Sequence, residues 1–375
     1  LLIEQSSAAL ALGVERIKDN LDGAITSGHL EPALAKAYFD KLDVSIDYQA
    51  LANVDLVIEA VFEDIAIKQR VFARVSRICP PETLLVSNTS YLDINTLATS
   101  VTYPEQFLGM HFFSPAHKMK LVEVIKAEHT SEQAMTQITG LAKQLNKLPI
   151  QAGVCFGFAA NRMYSRYGRE IQQMLLEGAK VAQIDNAMQV WGMAMGPLAV
   201  QDLSGIDIGD RARSTQTFPL HDRGYFQASS TMVKAQRLGR KTQAGFYDYD
   251  QQGRRQVADE VDSLLQKTAD ELAISQHCFT DEEIVHRALL AMISAGLGLL
   301  KDNIVSSVAE IDLIWLHGYG FPRYQGGPMF QAQQKGALWL TAALAELAEE
   351  FGEEIWPTFD QQVSQLNSID KLMVN

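Results

Sequence analysis

Val54-Asp55-Leu56-Val57-Ile58-Glu59-Ala60-Val61 is almost continuously apolar and rich in β-branched residues. A strand with one wet face alternates polar and apolar residues, and this one does not, which predicts a parallel strand covered by helices on both faces. Residues 64–77 follow with apolar positions at helical spacing, completing a strand-then-helix unit. In open sheets built from such units, ligands collect beyond the carboxyl ends of the strands. Val61, Phe62 and Glu63 therefore fall where a ligand would lie, with Lys68 one turn into the helix. A surface pair between Glu63 and Lys68 is the alternative for those two residues.

Working outward, strands are expected at 83–87, 107–113, 121–125 and 148–152, with a helix over 131–145. On the amino-terminal side lie helices near 6–21 and 31–42, then a short alternating strand, Val44 to Tyr48. The opening Leu1-Leu2-Ile3-Glu4 looks like a strand ending in an acid. Glu4 is either a helix cap or the acid that bonds a cofactor ribose at the end of a second Rossmann strand. These elements predict an α/β Rossmann-like domain over 1–152, with its first strand and glycine turn expected upstream of Leu1. No Gly-x-Gly-x-x-Gly occurs in the 375 residues.

From about Phe156 the apolar spacing becomes helical, and a weak repeat emerges. Ile184-Asp185, Gly192 and Gly196-Pro197 are echoed by Ile311-Asp312, Gly318 and Gly327-Pro328. Two all-α domains are expected, 153–250 and a duplicated 280–375, joined by a linker over 251–279. Thr280-Asp281-Glu282-Glu283 has the pattern of a capping box at the start of the second.

The net charge is −13, and no Lys/Arg-rich face is apparent, which argues against a nucleic-acid partner. Cys79, Cys155 and Cys278 lack metal-ligand spacing, so free buried thiols are expected, with no metal and no disulfide. No run reads as a membrane span, and Lys371-Leu372-Met373-Val374-Asn375 is not a Ser-Lys-Leu address. A bacterial-type cytoplasm is the expected compartment.

The chemistry centres on His111-Phe112-Phe113-Ser114-Pro115-Ala116-His117-Lys118-Met119-Lys120-Leu121-Val122-Glu123. Two short apolar runs joined by a Pro-containing turn carry a histidine and a glutamate. Imidazole exchanges protons near neutral pH, and a carboxylate on the neighbouring strand would fix its tautomer and stabilise its charged form. His117, beyond the proline on the turn, is expected to be solvated.

This segment resembles the His-Phe-Phe-Ser-Pro and Met-Lys-Leu-Val-Glu-Val signature of the 3-hydroxyacyl-CoA dehydrogenases. Ser87-Asn88-Thr89-Ser90, Gly157-Phe158-Ala159-Ala160-Asn161-Arg162, Met195-Gly196-Pro197-Leu198, Asp202-Leu203-Ser204-Gly205 and Gly239-Arg240-Lys241-Thr242 through Tyr247 match further family motifs in order. The carboxy-terminal Gly318-Tyr319-Gly320-Phe321-Pro322 resembles the last domain of multifunctional fatty-acid oxidation enzymes. Those enzymes carry two helical domains of the 6-phosphogluconate-dehydrogenase carboxy-terminal type.

The resemblance implies NAD-dependent oxidation of (S)-3-hydroxyacyl-CoA to 3-ketoacyl-CoA in fatty-acid β-oxidation. It implies catalytic roles for His111, Glu123, Ser90 and Asn161, with Ser90 and Asn161 also binding substrate. It carries NAD contacts to Glu4, Val61, Phe62, Glu63, Lys68, Ser90 and Ser114; Ser114 departs from the asparagine common in relatives, as Gln243 departs from a glycine. An acyl-CoA, a thiolase subunit and an upstream enoyl-CoA hydratase region are the implied partners. A non-catalytic acyl-CoA-binding or structural descendant is the alternative, as is a fragment inactive for lack of the pyrophosphate-binding turn. Dehydrogenases of the 6-phosphogluconate or 3-hydroxyisobutyrate type share the plan but use a lysine base where this chain offers His111 and Glu123. No site role is expected for the 318–328 turn.

Overall fold

A computed structural model describes residues 1–369 apart from Thr215 and Phe218. The closing residues 370–375, read above for a targeting address and as the end of the second helical domain, lie outside the described residues. The chain opens with β1 (Leu2–Ile3), α1 (Ser7–Thr26), α2 (Pro32–Phe39) and β2 (Val44–Ser45). β1 and β2 pair in parallel as a small sheet of their own. The strand expected to reach Tyr48 stops at Ser45, because the Asp47 carboxylate accepts from the Gln49 amide at 2.9 Å and caps a 3-10 turn.

The main sheet is formed by β3 (Leu56–Glu59), α3 (Ile65–Ile78), β4 (Leu84–Ser87), α4 (Ile94–Ala98), β5 (Phe107–Phe112), β6 (Leu121–Ile125), α5 (Glu132–Gln144) and β7 (Leu148–Ala152). The strand order is β3-β4-β5-β6-β7. All neighbours are parallel except β5 and β6, whose connection over 113–120 is too short for a crossover helix. β4 and β6 are buried along their whole length. β3 corrects the expectation drawn from Val54–Val61: it ends the strand order, and Ile58 is 45% exposed. Full coverage falls instead on the strands inside the sheet.

The helical part follows as α6 (Phe158–Leu176), α7 (Val181–Trp191), α8 (Pro197–Ser204), α9 (Ile206–Arg213), α10 (Gln227–Lys234), the hairpin β8 (Tyr247–Tyr249) with β9 (Arg255–Val257), α11 (Asp259–Glu271), α12 (Asp281–Lys301), α13 (Val308–Gly318), α14 (Pro328–Lys335), α15 (Ala337–Phe351) and α16 (Asp360–Ile369). The hairpin interrupts what was expected to be an all-α region. The segment 251–279, expected as a linker, holds β9 and α11, and α11 buries Val261, Leu265 and Ala269. α6 and α12 lie at the centre of one apolar core that runs from Phe113 to Leu366 and unites both helical units.

The repeat has a physical basis. Asp185, on α7, accepts the backbone N–H groups of Leu198 and Ala199 at the start of α8, at 2.9 and 3.1 Å. Asp312, on α13, accepts those of Met329 and Phe330 at the start of α14, at 2.8 and 3.0 Å. A Cβ on Gly196 would lie 2.2 Å from the Asp185 carboxyl carbon, and one on Gly327 would lie 2.3 Å from that of Asp312. Glycine is required in both units because the carboxylate occupies the space of a side chain.

By length and composition alone α12 would pass for a membrane-crossing helix. Within the protein 67% of that apolar window is buried, as for a central helix packed on all sides. The three cysteines are free, but Cys278 is exposed and only Cys79 is fully buried. Gln243 takes the left-handed conformation, φ 57°, at the turn where a glycine would adopt it without strain.

Candidate active site

His111 and Glu123 are direct partners in the β5–β6 register. In an antiparallel ladder, residues directly opposite on one face bring their side chains together. The His111 Nδ1 lies 2.8 Å from Glu123 Oε2, with His111 5% exposed and Glu123 fully buried. An ionised carboxylate only accepts, so the proton of this bond resides on Nδ1 and Nε2 is left as the nitrogen for exchange with a substrate. The Phe113 and Phe158 rings, with centroids 5.0 and 5.9 Å from the imidazole, give the dyad an apolar wall.

The other oxygen of Glu123 accepts the backbone N–H groups of Ala159 and Ala160, at 3.0 and 2.9 Å. These are unpaired donors of the first turn of α6, so the carboxylate of the sheet caps the first long helix of the helical part. The local sequence explains the seat. Gly157 adopts φ 75° to turn the chain into α6, and a Cβ there would approach the Asn161 Cβ to 3.0 Å. Phe158 is fully buried beside His111, Ala159 and Ala160 present bare N–H groups, and Asn161 follows.

Asn161 joins three elements. Its Nδ2 donates to the Ser90 carbonyl at 3.4 Å, and its Oδ1 accepts from the Tyr319 hydroxyl at 3.1 Å. Tyr319 comes from the 318–328 turn that was given no site role. Its ring stacks on Tyr164 at 4.7 Å, and burial raises its hydroxyl well above the ordinary tyrosine range. The motif Gly318-Tyr319-Gly320 was the available signal, but nothing in the local pattern tells a packing tyrosine from one that reaches the site.

The ends of β3 and β4 are tied by a buried ion pair. Lys68 Nζ donates to Glu59 Oε1 at 2.7 Å, lies 3.3 Å from Glu63 Oε2 and donates to the Val61 carbonyl at 3.3 Å. Lys68 is therefore not one half of a surface pair; it is 1% exposed. The remaining Glu59 oxygen accepts from the Ser87 hydroxyl at 2.7 Å. Glu63 Oε1 accepts from the Ser90 and Tyr91 amides, at 3.0 and 3.3 Å, and from the Thr89 hydroxyl, shaping the turn that presents Ser90. The Ser90 hydroxyl is bonded to no other described residue.

His111, Glu123, Asn161 and Ser90 thus form one connected constellation, with Glu63 and Lys68 supporting the Ser90 turn from behind. Phe62 stands 71% exposed at the end of β3, beside Val61. Glu4 sits at the end of β1, where its amide donates to the Ser45 carbonyl at 3.2 Å, and no contact joins it to the dyad. Ser114 and His117 are exposed on the β5–β6 turn. Among the described residues no group of His, Cys, Asp and Glu forms a metal site.

Beyond Asn161 a cavity of about 1040 Å³ opens between the helical units. Its lining includes Tyr91, Phe113, Ser114 and Asn161 together with Ile206, Ile208, Ala295 and Phe359.

A mixed sheet with nucleotide-type strand ends, a buried histidine–carboxylate pair and a helical part closing over them defines a two-part dehydrogenase fold. The 3-hydroxyacyl-CoA dehydrogenase NAD-binding domain model matches residues 1–155, and the carboxy-terminal domain model of the same family matches residues 157–249. The chain belongs to the 3-hydroxyacyl-CoA dehydrogenase family. It is 41% identical over 314 residues to the peroxisomal bifunctional enzyme of Danio rerio, covering 80% of this chain and 44% of that protein. It therefore spans less than half the length of that relative. A solved (S)-3-hydroxybutyryl-CoA dehydrogenase from Ralstonia eutropha is 32% identical with a TM-score of 0.63, over 66% of this chain and 89% of that one. The 3-hydroxybutyryl-CoA dehydrogenase of Escherichia coli shares the fold across 99% of this chain and 93% of its own, with a TM-score of 0.81 at 22% identity. The family match makes NAD the cofactor.

Proposed function

We propose that the site oxidises (S)-3-hydroxyacyl-CoA to 3-ketoacyl-CoA with His111 as the proton acceptor. The observation that carries this reading is the double tie of Glu123, whose two oxygens join His111 and the first turn of α6. NAD, when bound, supplies the hydride acceptor. His111 Nε2 takes the proton of the 3-hydroxyl as the C3–H bond breaks. Glu123 holds the imidazole in the tautomer with Nδ1 protonated and stabilises the imidazolium that forms. The helix start behind Glu123 anchors that carboxylate by its other oxygen without drawing it from the histidine. The Ser90 hydroxyl and the Asn161 amide are donors for the reacting oxygen and the thioester carbonyl; the 3.4 Å Asn161–Ser90 contact is long enough to yield to a better acceptor. Glu63 and Lys68 position the turn that carries Ser90.

The cavity beyond Asn161 takes the acyl group. The NAD contacts assigned above to Glu4, Val61, Phe62, Glu63, Lys68, Ser90 and Ser114 form part of the same reading. A hydratase region supplying the 3-hydroxyacyl-CoA and a thiolase consuming the product are the partners this chemistry calls for. The cytoplasmic placement belongs to the reading too; the Danio rerio relative is named as peroxisomal, and fractionation of the host cell decides between them.

The test is acetoacetyl-CoA-dependent oxidation of NADH by the native protein. Activity that collapses in His111→Gln supports the assignment. Activity unchanged in that variant assigns the proton step elsewhere.

A further inference from the structure

Neither residues 106–122, between Glu105 and Glu123, nor residues 313–345, between Asp312 and Glu346, contain a carboxylate in this acidic chain. The fold brings them together at the entrance of the site. A Cβ on Gly318 would lie 2.9 Å from Leu121 Cδ2 and 3.6 Å from the Phe113 ring, so the end of α13 is pressed against the β5–β6 turn. The Tyr319 and Phe113 rings meet edge to face at 6.1 Å. Lys147 fixes the turn from beneath, donating to the Met119 carbonyl at 2.7 Å and to that of Ala116.

Three further cations, Lys118, Lys120 and Arg323, are exposed on this rim, and none makes an ion pair among the described residues. His317 marks their proximity. Its imidazole is held below the ordinary histidine range by burial and then by the charges of Arg323 and Lys120, with no acid acting on it. Unpaired like charges gathered on a chain of net charge −13 raise the local potential and favour a polyanion. Ser114, Met119, Gly318 and Tyr319, which carry the rim, also line the largely apolar cavity that leads to Asn161.

We infer that Lys118, Lys120 and Arg323 seat the phosphates of the adenosine 3′,5′-bisphosphate head of the CoA thioester. This rests on the dehydrogenase reading above, because an acyl-CoA is the amphiphile that joins a polyanionic head to an acyl group in the cavity. Two parts of the chain just over two hundred residues apart in sequence thereby contribute to one subsite: the turn of the sheet domain and the turn after α13 of the second helical unit. The second unit then acts directly in substrate capture as well as in packing.

The test compares the wild-type protein with Lys118→Gln, Lys120→Gln and Arg323→Gln, singly and combined, by two measurements. Titration calorimetry with adenosine 3′,5′-bisphosphate needs no turnover; affinity should fall about tenfold for each cation removed, the scale of one charge-assisted hydrogen bond. The wild-type affinity should also weaken as salt is raised. In turnover, the ratio of kcat/KM for acetoacetyl-CoA to that for acetoacetyl-pantetheine, which lacks the nucleotide, should fall by about a thousandfold in the triple variant, the product of three tenfold losses. The inference is overturned if the triple variant binds the bisphosphate as the wild type does, or if it loses NADH affinity in place of bisphosphate affinity, which would give the rim to the dinucleotide. If the wild type turns over neither thioester, the dehydrogenase reading fails, while the calorimetry still decides whether the rim binds the bisphosphate.

Discussion

Glu123 and Asp312 use the same device in two regions of the molecule, and only one of them is placed to do chemistry. Each is a carboxylate seated on the first N–H groups of a helix, α6 in one case and α14 in the other. Asp312 gives one oxygen to each amide and has nothing left over. Glu123 takes both amides on a single oxygen, so its second oxygen reaches His111 across the strand pair. Asp185 is intermediate, adding the Tyr247 hydroxyl at 2.9 Å to its two amides. A helix start receives a buried carboxylate in all three places; in the reading proposed above, the imidazole on the remaining oxygen of Glu123 turns a structural cap into a proton-transfer pair.

The largest effect expected from that distinction is on turnover. His111→Gln should lower kcat by about 10²- to 10⁴-fold, the range for losing a general acid–base, with little change in thermal unfolding. Glu123→Gln should lower kcat over a similar range and also destabilise the protein, because an amide has one acceptor atom for two roles. NADH oxidation and a melting curve on the same preparations separate the two. A Glu123→Gln enzyme as stable as His111→Gln would show that the helix seat contributes nothing.

Glu170 sharpens the comparison, being a fully buried carboxylate with no helix start behind it. Burial would raise it, but the guanidiniums of Arg287, Arg169 and Arg166 hold it at about 2. Arg287 on α12 bridges Glu170 of α6 and Glu177 just past its end, and Arg169 pairs with Asp222 through two bonds at 2.8 and 2.7 Å. Removing Arg287 strips Glu177 of its cation and Glu170 of the largest of its three, so Arg287→Leu should cost about 3–5 kcal/mol in urea unfolding. Gly327→Ala comes next, at about 1–3 kcal/mol, since its Cβ would strike Asp312 and its φ of 114° disfavours any side chain. Gly196→Ala meets the same clash at Asp185 without a left-handed φ. It should cost less, and the reverse order would mean that contact outweighs backbone strain.

The parts legible in the sequence were those with a local signal. β6 and β7 fall on 121–125 and 148–152 because continuous apolar runs between turn residues leave few alternatives. The His111–Glu123 pairing was legible because two runs joined by a short turn form a hairpin, whose register places residues equidistant from the turn opposite each other. The exposure of β3 was not legible, since an apolar strand inside a sheet and one at its edge have the same composition. Nor was the Arg287–Glu170 bridge, which spans 117 residues of chain, or the contact of Tyr319 with Asn161, which spans 158. Periodicity records which face of an element is buried, not which distant element covers it. The repeat of Asp185 and Gly196 in Asp312 and Gly327 was visible as letters, but the reason for it, a carboxylate occupying the place of a Cβ, required coordinates.

The smallest expected effect separates the two repeat units by pH. Burial raises Asp312 to about 7, against the opposing pull of the Met329 and Phe330 amides. Asp185 is raised by burial too, but the Tyr247 hydroxyl and the Arg255 charge join its two amides in opposing the shift. An unfolded aspartate titrates near pH ~4, so between there and about 7 the folded protein retains a proton that the unfolded chain has released. Stability contributed by Asp312 is therefore fully present below pH ~4, falls as pH rises through that window and is lost above about 7. Asp312→Asn should flatten this part of the melting temperature against pH profile, and Asp185→Asn should flatten it less. Both substitutions disturb a two-amide cap, so the slopes carry the comparison while the absolute melting temperatures do not. Equal flattening would mean that the additional donors on Asp185 have no electrostatic weight, and that the two units differ in sequence alone.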